Sequence, residues 1–232
     1  MFSPSFGRRK SIDPRDKTYP LRSMIQLAPT EPLRTRPWNA PPALDQGHTG
    51  VPGRDNEGSC TGFGGAHFLA AAPHQHQLSA EFALELYDAA RKNDEWPGEN
   101  YDGSSVRGLM KAMQSLGYIA GGYLWAWDAS TVRDYTLRYS PVVTGSDWYA
   151  EMMEPDRSGF IRPVGPLEGG HCYVVLGYSA DRDAFRIQNS WGVEWGQKGR
   201  AWMAFEDYQF LISQDGGEAA SAVEVVASSR AS

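Results

Sequence analysis

Only two thiols occur in the 232 residues, Cys60 and Cys172, and Cys60 stands where a thiol can be made reactive. It opens the segment Cys60-Thr61-Gly62-Phe63-Gly64-Gly65-Ala66-His67-Phe68-Leu69-Ala70-Ala71-Ala72, which has helical period and is stopped by Pro73. At a helix N-terminus the unpaired N–H groups and the dipole favour a negative sulfur. A free thiol with a pKa of ~8.5 is only a few per cent ionised at neutral pH, so full ionisation raises the reactive fraction roughly thirty-fold. A dipole alone contributes too little for that, so a partner cation is required. His171, in Gly169-Gly170-His171 at the head of an apolar strand, is the candidate base. Asn189, ending the next strand, can hold the imidazole through one nitrogen, and Trp191 can cover that hydrogen bond from water. Gln46 lies fourteen residues before Cys60 and can donate its side-chain amide to a developing oxyanion, together with the Cys60 N–H. One such donor is worth about 3 kcal/mol in the transition state. Nucleophile, base, orienter and oxyanion donor together describe acyl transfer from an amide through a thioester.

These residues need elements to position them. Residues 1–42, rich in Pro, Arg, Ser and Thr, read as an extended N-terminal arm whose Tyr19, Leu21, Ile25, Leu27, Leu33 and Trp38 can lie along a surface. Two outcomes stay open for it: the arm lies in the cleft and limits access, or it bridges the halves away from Cys60. A helix-rich half follows. After the Cys60 helix, whose three glycines imply close backbone packing, comes Ser79–Arg91 with Ser79 as cap and Phe82, Leu86 and Ala89 on one face. A third helix spans about Ser105 to Leu116, with Val106, Leu109, Met110 and Met113 inward and Gly117 closing it. The later half is strand-like at Pro141–Gly145, His171–Tyr178, Ala184–Asn189 and Arg200–Phe205. Helices first and strands later is an α+β pattern with a seam between the halves. The expected organisation is an arm over 1–42 and a catalytic domain over 43–232. Within that domain we expect a helical lobe over about 43–122, a β lobe over about 123–210 and a C-terminal tail over about 211–232.

The ordered set Gln46-Gly47, Gly58-Ser59-Cys60, Gly170-His171, Asn189-Ser190-Trp191-Gly192, Trp195-Gly196 and Gly199 resembles the papain family of cysteine peptidases, over about residues 43 to 207. The resemblance implies a two-lobed fold: a helical lobe carrying Cys60, an antiparallel β-barrel-like lobe carrying His171 and Asn189, and substrate in the cleft between. It also implies that Asp102-Gly103-Ser104 stands for the family's Asn-Gly-Gly loop, whose backbone pairs with an extended peptide. Gly103, Ser104, Gly170 and Trp191 are therefore expected to bind substrate. The chain departs from the family where Thr61 replaces the aromatic residue after the nucleophile and Glu57 the cysteine three residues before it. Thr61 and the lack of disulfides look like the bacterial and phage branch. A polar loop, His48 to Glu57, is longer than usual, and the arm is too short and irregular to be the family's helical propeptide.

Composition limits the remaining possibilities. The net charge of −6 gives no reason to expect nucleic-acid binding, and no apolar run is long enough to span a bilayer. Two cysteines and an N-terminus without a secretory pattern favour a cytoplasmic or otherwise reducing compartment. No metal or organic cofactor is expected, and the oligomeric state is open. His67, His74 and His76 lack matching ligands; we read the last two as a solvated loop and His67 as helix surface or core. Cys172 follows His171 on one strand, so it should face the opposite side and belong to the core. The favoured reaction is hydrolysis of a peptide or isopeptide bond in a polypeptide substrate. Its rivals are acyl transfer or amide hydrolysis on a non-protein substrate such as peptidoglycan, and an inactive scaffold used for binding.

Overall fold

Ser79 and Ser105 start their helices as the capping pattern predicts, accepting hydrogen bonds from the N–H groups of Phe82 (3.2 Å) and Gly108 (2.9 Å). The computed structural model describes residues 5–25, 35–94 and 101–227. In chain order the elements are α1 (Arg22–Ile25), β1 (Thr35–Pro37), α2 (Cys60–Ala70), α3 (Ala80–Asn93), α4 (Val106–Ser115), β2 (Ile119–Ala126), α5 (Ala129–Thr136) and β3 (Val142–Tyr149). They continue with β4 (Phe160–Ile161), β5 (Leu167–Ser179), β6 (Ala184–Gln188), β7 (Arg200–Ala204), α6 (Phe205–Ser213) and β8 (Glu218–Val225). In α3 the buried face is Ala83, Leu86, Tyr87 and Ala90, one residue round from the predicted one, while α4 buries Val106, Leu109, Met110 and Met113 as expected.

Every residue of α2 is buried, which marks it as the central helix, packed on all sides. Its glycines answer to its three neighbours. A Cβ at Gly62 would overlap the Ala83 carbonyl oxygen of α3, one at Gly64 would lie 2.8 Å from Cys172 Sγ on β5, and one at Gly65 would lie 2.6 Å from Leu109 Cδ1 on α4. The sheet runs β2-β8-β3-β5-β6-β7-β4, with β1 added to β5; all pairs are antiparallel except β4 with β7.

Strand alternation on β5 divides two cores. Tyr173 and Val175 join Trp148, Phe185, Tyr208 and Leu211 on the side of α5 and α6. Cys172, Val174 and Leu176 join Phe63, Phe68, Leu86 and Leu109 on the side of α2, α3 and α4. Each buried Leu or Phe contributes about 1.5–3 kcal/mol. This is the mixed α+β architecture expected.

Three expectations change. The segment read as a C-terminal tail carries the end of α6 and the whole of β8, which lies between β2 and β3. Its residues Ala219, Ala220, Ser221 and Ala222 are too small to look like a strand, yet Ala219 faces one core and Ala220 and Ala222 the other. The boundary expected near 122 falls within β2, where Gly121-Gly122 form an irregularity that breaks the alternation. The arm is not wholly extended: Pro14–Thr18 form a 3₁₀ turn, α1 follows, and β1 pairs with β5. Leu27 and Leu33 lie outside the described residues. Among the described residues no helix is long and apolar enough to cross a membrane.

Candidate active site

Cys60 is the first residue of α2, and His171 lies on β5, against which α2 packs; both are fully buried. Asn189 follows β6, and its Oδ1 lies 2.7 Å from His171 Nε2. The same Oδ1 accepts the Ser190 N–H at 2.7 Å, which identifies it as the oxygen. Nε2 must therefore carry the proton in the neutral ring, leaving the Nδ1 lone pair free; Nδ1 has no hydrogen-bond partner. Trp191 packs 4.9 Å from the imidazole, and Trp148, which the sequence did not single out, meets it edge-on at 4.7 Å.

Gln46 reaches this group because residues 44–46 are zipped to residues 190–192. Gln46 N–H donates to Ser190 O (2.8 Å), and Gly192 N–H donates to Leu44 O (3.0 Å). Ser190 Oγ donates to Gln46 Oε1 at 2.7 Å, turning the amide so that Nε2 points into the seam. Ser190 is thus a positioning group; it sat inside the Asn189-Ser190-Trp191 motif with no role attached. The extra loop leaves Gln46 in place because it closes on itself and on α3: Asp55 accepts from Thr49, and Arg54 pairs with Glu57 and Asp88.

A stretch of the chain's own arm lies in the seam. Gln46 Nε2 donates to Ser5 O (2.8 Å), and Phe6 meets His171 and Trp191 edge-on at 6.0 Å. Ser104 N–H donates to Gly7 O (2.7 Å), Arg8 N–H to Gly170 O (3.0 Å) and Arg9 N–H to Ser104 O (2.8 Å). Arg8 and Ser104 form a parallel bridge. Gly7 also lies against Gly58, and Gly103, at φ +97°, leaves no room for a Cβ beside the Gly7 carbonyl. Gln46, Cys60, Gly103, Ser104, Gly170, His171 and Trp191 thus all meet residues 5–9. Arg8 ends in a pocket of β3 and β8, beside Glu218 and Asp147, neither of which any local motif marks.

This covering changes the electrostatics. Burial pushes the Cys60 thiol up to about 11, opposed by peptide N–H groups of Cys172, Gly7 and Thr61, and pushes His171 down to about 4, opposed by Asn189. With the arm in place, burial thus favours the neutral form of both groups over the thiolate–imidazolium pair expected from the sequence. The physical reason is desolvation: the arm removes the water that would share both charges.

The other flagged residues are structural. Cys172 is buried, unpaired and packed on Gly64. His67 is core, its Nε2 accepting the Leu44 N–H at 3.0 Å. His74 and His76 are not simply solvated: the His74 ring packs at a tilt against Phe68, 4.9 Å between centroids, and His76 Nε2 lies 2.8 Å from Val226 O.

Residues 102–216 match the model of the papain family cysteine proteases, a span that holds His171 and Asn189 but not Gln46 or Cys60. Cathepsin B-like CP3 of Giardia intestinalis is 29% identical over 106 residues, 44% of this chain; the match spans a third (33%) of that relative's length. Among solved structures, xylellain, a cysteine protease from Xylella fastidiosa, aligns with a TM-score of 0.62 at 23% identity, covering 97% of this chain and 99% of its own. The digestive procathepsin L2 proteinase of Tenebrio molitor larval midgut aligns with 0.64 at 16% identity, covering 95% and 78%. These two likenesses speak to the fold, and they extend it over the Cys60 half that the family model leaves out. The family match thus places residues 102–216, the half with His171 and Asn189, in the papain family of cysteine proteases, and the shared fold extends over the rest of the chain.

Proposed function

We propose that this chain hydrolyses peptide bonds in polypeptide substrates, with Cys60 as nucleophile. His171 Nδ1 takes the thiol proton as sulfur attacks the amide carbon, and later gives it to the leaving amine. Asn189 holds the imidazole in the required tautomer. Gln46 Nε2 and the Cys60 N–H, one of the unpaired donors of the first helical turn, receive the oxyanion. The thioester formed is then hydrolysed by water with His171 as base. Gly103, Ser104 and Gly170 supply the backbone groups that pair with an extended chain, and Trp191 shields the His171–Asn189 bond. The observation that carries this reading is the arm itself: a length of polypeptide backbone already sits in the seam, with a carbonyl on the Gln46 amide.

The arm restrains the enzyme in this reading. It offers the sulfur a peptide N–H rather than a carbonyl carbon, so it occupies the site without being a substrate. The two unpaired thiols accord with a reducing compartment. The test is mass spectrometry of a mixed peptide panel incubated with the full chain, with Gly7→Ala, which has no room for its methyl group with the arm seated, and with Cys60→Ala. Cleavage that needs Cys60 and rises in Gly7→Ala is expected. A Gly7→Ala protein that is folded, alkylated at Cys60 and cleaves nothing would overturn the reading.

A further inference from the structure

The loop that pairs with the arm is held from behind by α3. Both cysteines of the chain are free, so no disulfide secures residues 101–105. Two side chains seven residues apart, two turns along one side of α3, do so instead. Tyr87 Oη accepts the Gly103 N–H at 2.9 Å. Asp94, the C-cap of α3, takes the rest of the loop. Its Oδ1 accepts the Ser105 hydroxyl at 2.8 Å and the Ser105 N–H at 3.3 Å. Its Oδ2 accepts the hydroxyls of Ser104 at 2.7 Å and Tyr101 at 3.1 Å.

A carboxylate is disfavoured by the dipole at a helix C-terminus, so α3 itself gains nothing from Asp94. Three positions beyond α3 are shaped to it. Ser104 is fully buried, with its hydroxyl given to Asp94. Ser105 passes the hold on to α4, its Oγ accepting the Gly108 N–H at 2.9 Å. Gly108 is bare where a Cβ would overlap Asp94 Oδ1. The backbone follows the same plan. Gly103 N–H is turned back to Tyr87 and Ser105 N–H to Asp94, whereas Ser104 keeps both its peptide groups for the seam. There they meet Gly7 O and the Arg9 N–H of the arm. Tyr101, fixed by the same carboxylate, carries the Arg9 guanidinium 3.9 Å over its ring.

We infer that Asp94 is a positioning residue of the enzyme: through Ser104, Ser105 and Tyr101 it fixes the Ser104 peptide groups where an extended substrate pairs with them. For the word substrate this rests on the peptidase reading above; the hold on the loop does not.

Two measurements test it. The first uses the arm as its probe and needs no cleavage: amide hydrogen exchange is followed in full-length Asp94→Ala and Asp94→Asn proteins. Without the ionised acceptor, protection of the Ser104 and Arg9 amides should fall about tenfold or more in Asp94→Ala. Asp94→Asn, which keeps one oxygen for Ser105 and an amide group for the two other hydroxyls, should stay within about threefold of wild type. Val132→Ala, which thins the other core, should leave both amides unchanged. Unchanged protection in folded Asp94→Ala protein, no rescue by Asp94→Asn, or an equal loss in Val132→Ala overturns the inference.

The second compares KM and kcat in Gly7→Ala protein, using peptides N-methylated at one amide at a time on the N-terminal side of the cleaved bond. Methylation of the amide that pairs with Ser104 O should raise KM about tenfold or more, and no more than about threefold once Asp94→Ala is added. The kcat should change little, because this pairing is alike for bound substrate and transition state. A methylation penalty that persists without the carboxylate, or an Asp94→Ala loss confined to kcat, overturns it. Asp94-dependent protection with no peptide cleaved by any variant would count against the peptidase reading and leave the hold on the loop standing. Cleavage with an unchanged methylation penalty would do the reverse.

Discussion

Replacing Gly7 by alanine should convert Cys60 from a protected thiol into a readily alkylated one. In the wild-type chain Cys60 has no exposure, and Gly7 lies over it, wedged between Gly58 and Gly103. A methyl group on Gly7 would overlap the Gly58 carbonyl oxygen and carbon, and backbone cannot yield as a side-chain end can. Overpacking of this kind costs about 1–3 kcal/mol. The cost falls on the seated arm alone, because the released arm has space for the methyl. The ratio of released to seated arm therefore rises about five- to one-hundred-fifty-fold. If alkylation occurs through the released form, its rate rises by the same factor. The assay is timed iodoacetamide labelling, with peptide mapping to separate Cys60 from Cys172. Cys172 is the internal control: it is buried in the helix–sheet core and should stay unreactive in both proteins. An unchanged Cys60 rate in folded Gly7→Ala protein would refute the argument that the arm guards the nucleophile. A parallel rise at Cys172 would show global loosening instead.

Gln46→Ala should lower peptide turnover about two to three orders of magnitude, yet leave alkylation of Cys60 in the Gly7→Ala background nearly unchanged, since its amide serves the oxyanion. Ser190→Ala removes only the bond that orients that amide and should cost about 1 kcal/mol, or roughly fivefold in turnover, again without altering thiol labelling. The arm should be held less firmly above about pH 8.5, where the covered thiol, pushed up to about 11, resists an ionisation that the released thiol accepts. On the acid side two buried groups oppose each other: His171, pushed down to about 4, favours release, and Glu218, pushed up to about 7 beside Arg8, favours the seated arm. Hydrogen-exchange protection of the Arg8 and Arg9 amides, corrected for intrinsic rates, should therefore fall between about pH 8 and pH 10, and a flat profile over that range would contradict the desolvation account. Gly62→Ala should destabilise the fold by about 1–3 kcal/mol in urea titrations because its methyl meets α3 backbone, whereas Gly65→Ala, which meets only the end of Leu109, should cost far less.

The parts of the candidate site were legible in the chain because each is local. A cysteine heading an apolar helix, a histidine heading a strand and an asparagine ending the next are set by short-range periodicity and by glycine and proline punctuation. The caps Ser79 and Ser105 and the apolar side of α4 could be read for the same reason. The glycines of α2 implied close packing, but only the tertiary structure assigns Gly62 to α3, Gly64 to Cys172 and Gly65 to α4. Strand β8 escaped notice because alanines carry little hydrophobic signal; what makes it a strand is the pair of neighbours it lies between, over 70 residues away in the chain. The protonation states depended on tertiary structure altogether. Sequence pointed to a thiolate and an imidazolium from the helix dipole and their mutual charge, whereas burial beneath residues 5–9 favours both neutral forms. The Arg8–Glu218 contact joins residues 210 positions apart, so no local pattern could announce it. Types and spacing determine which groups can react; solvent exclusion is a property of the assembled fold, and it decides in which charge state they wait.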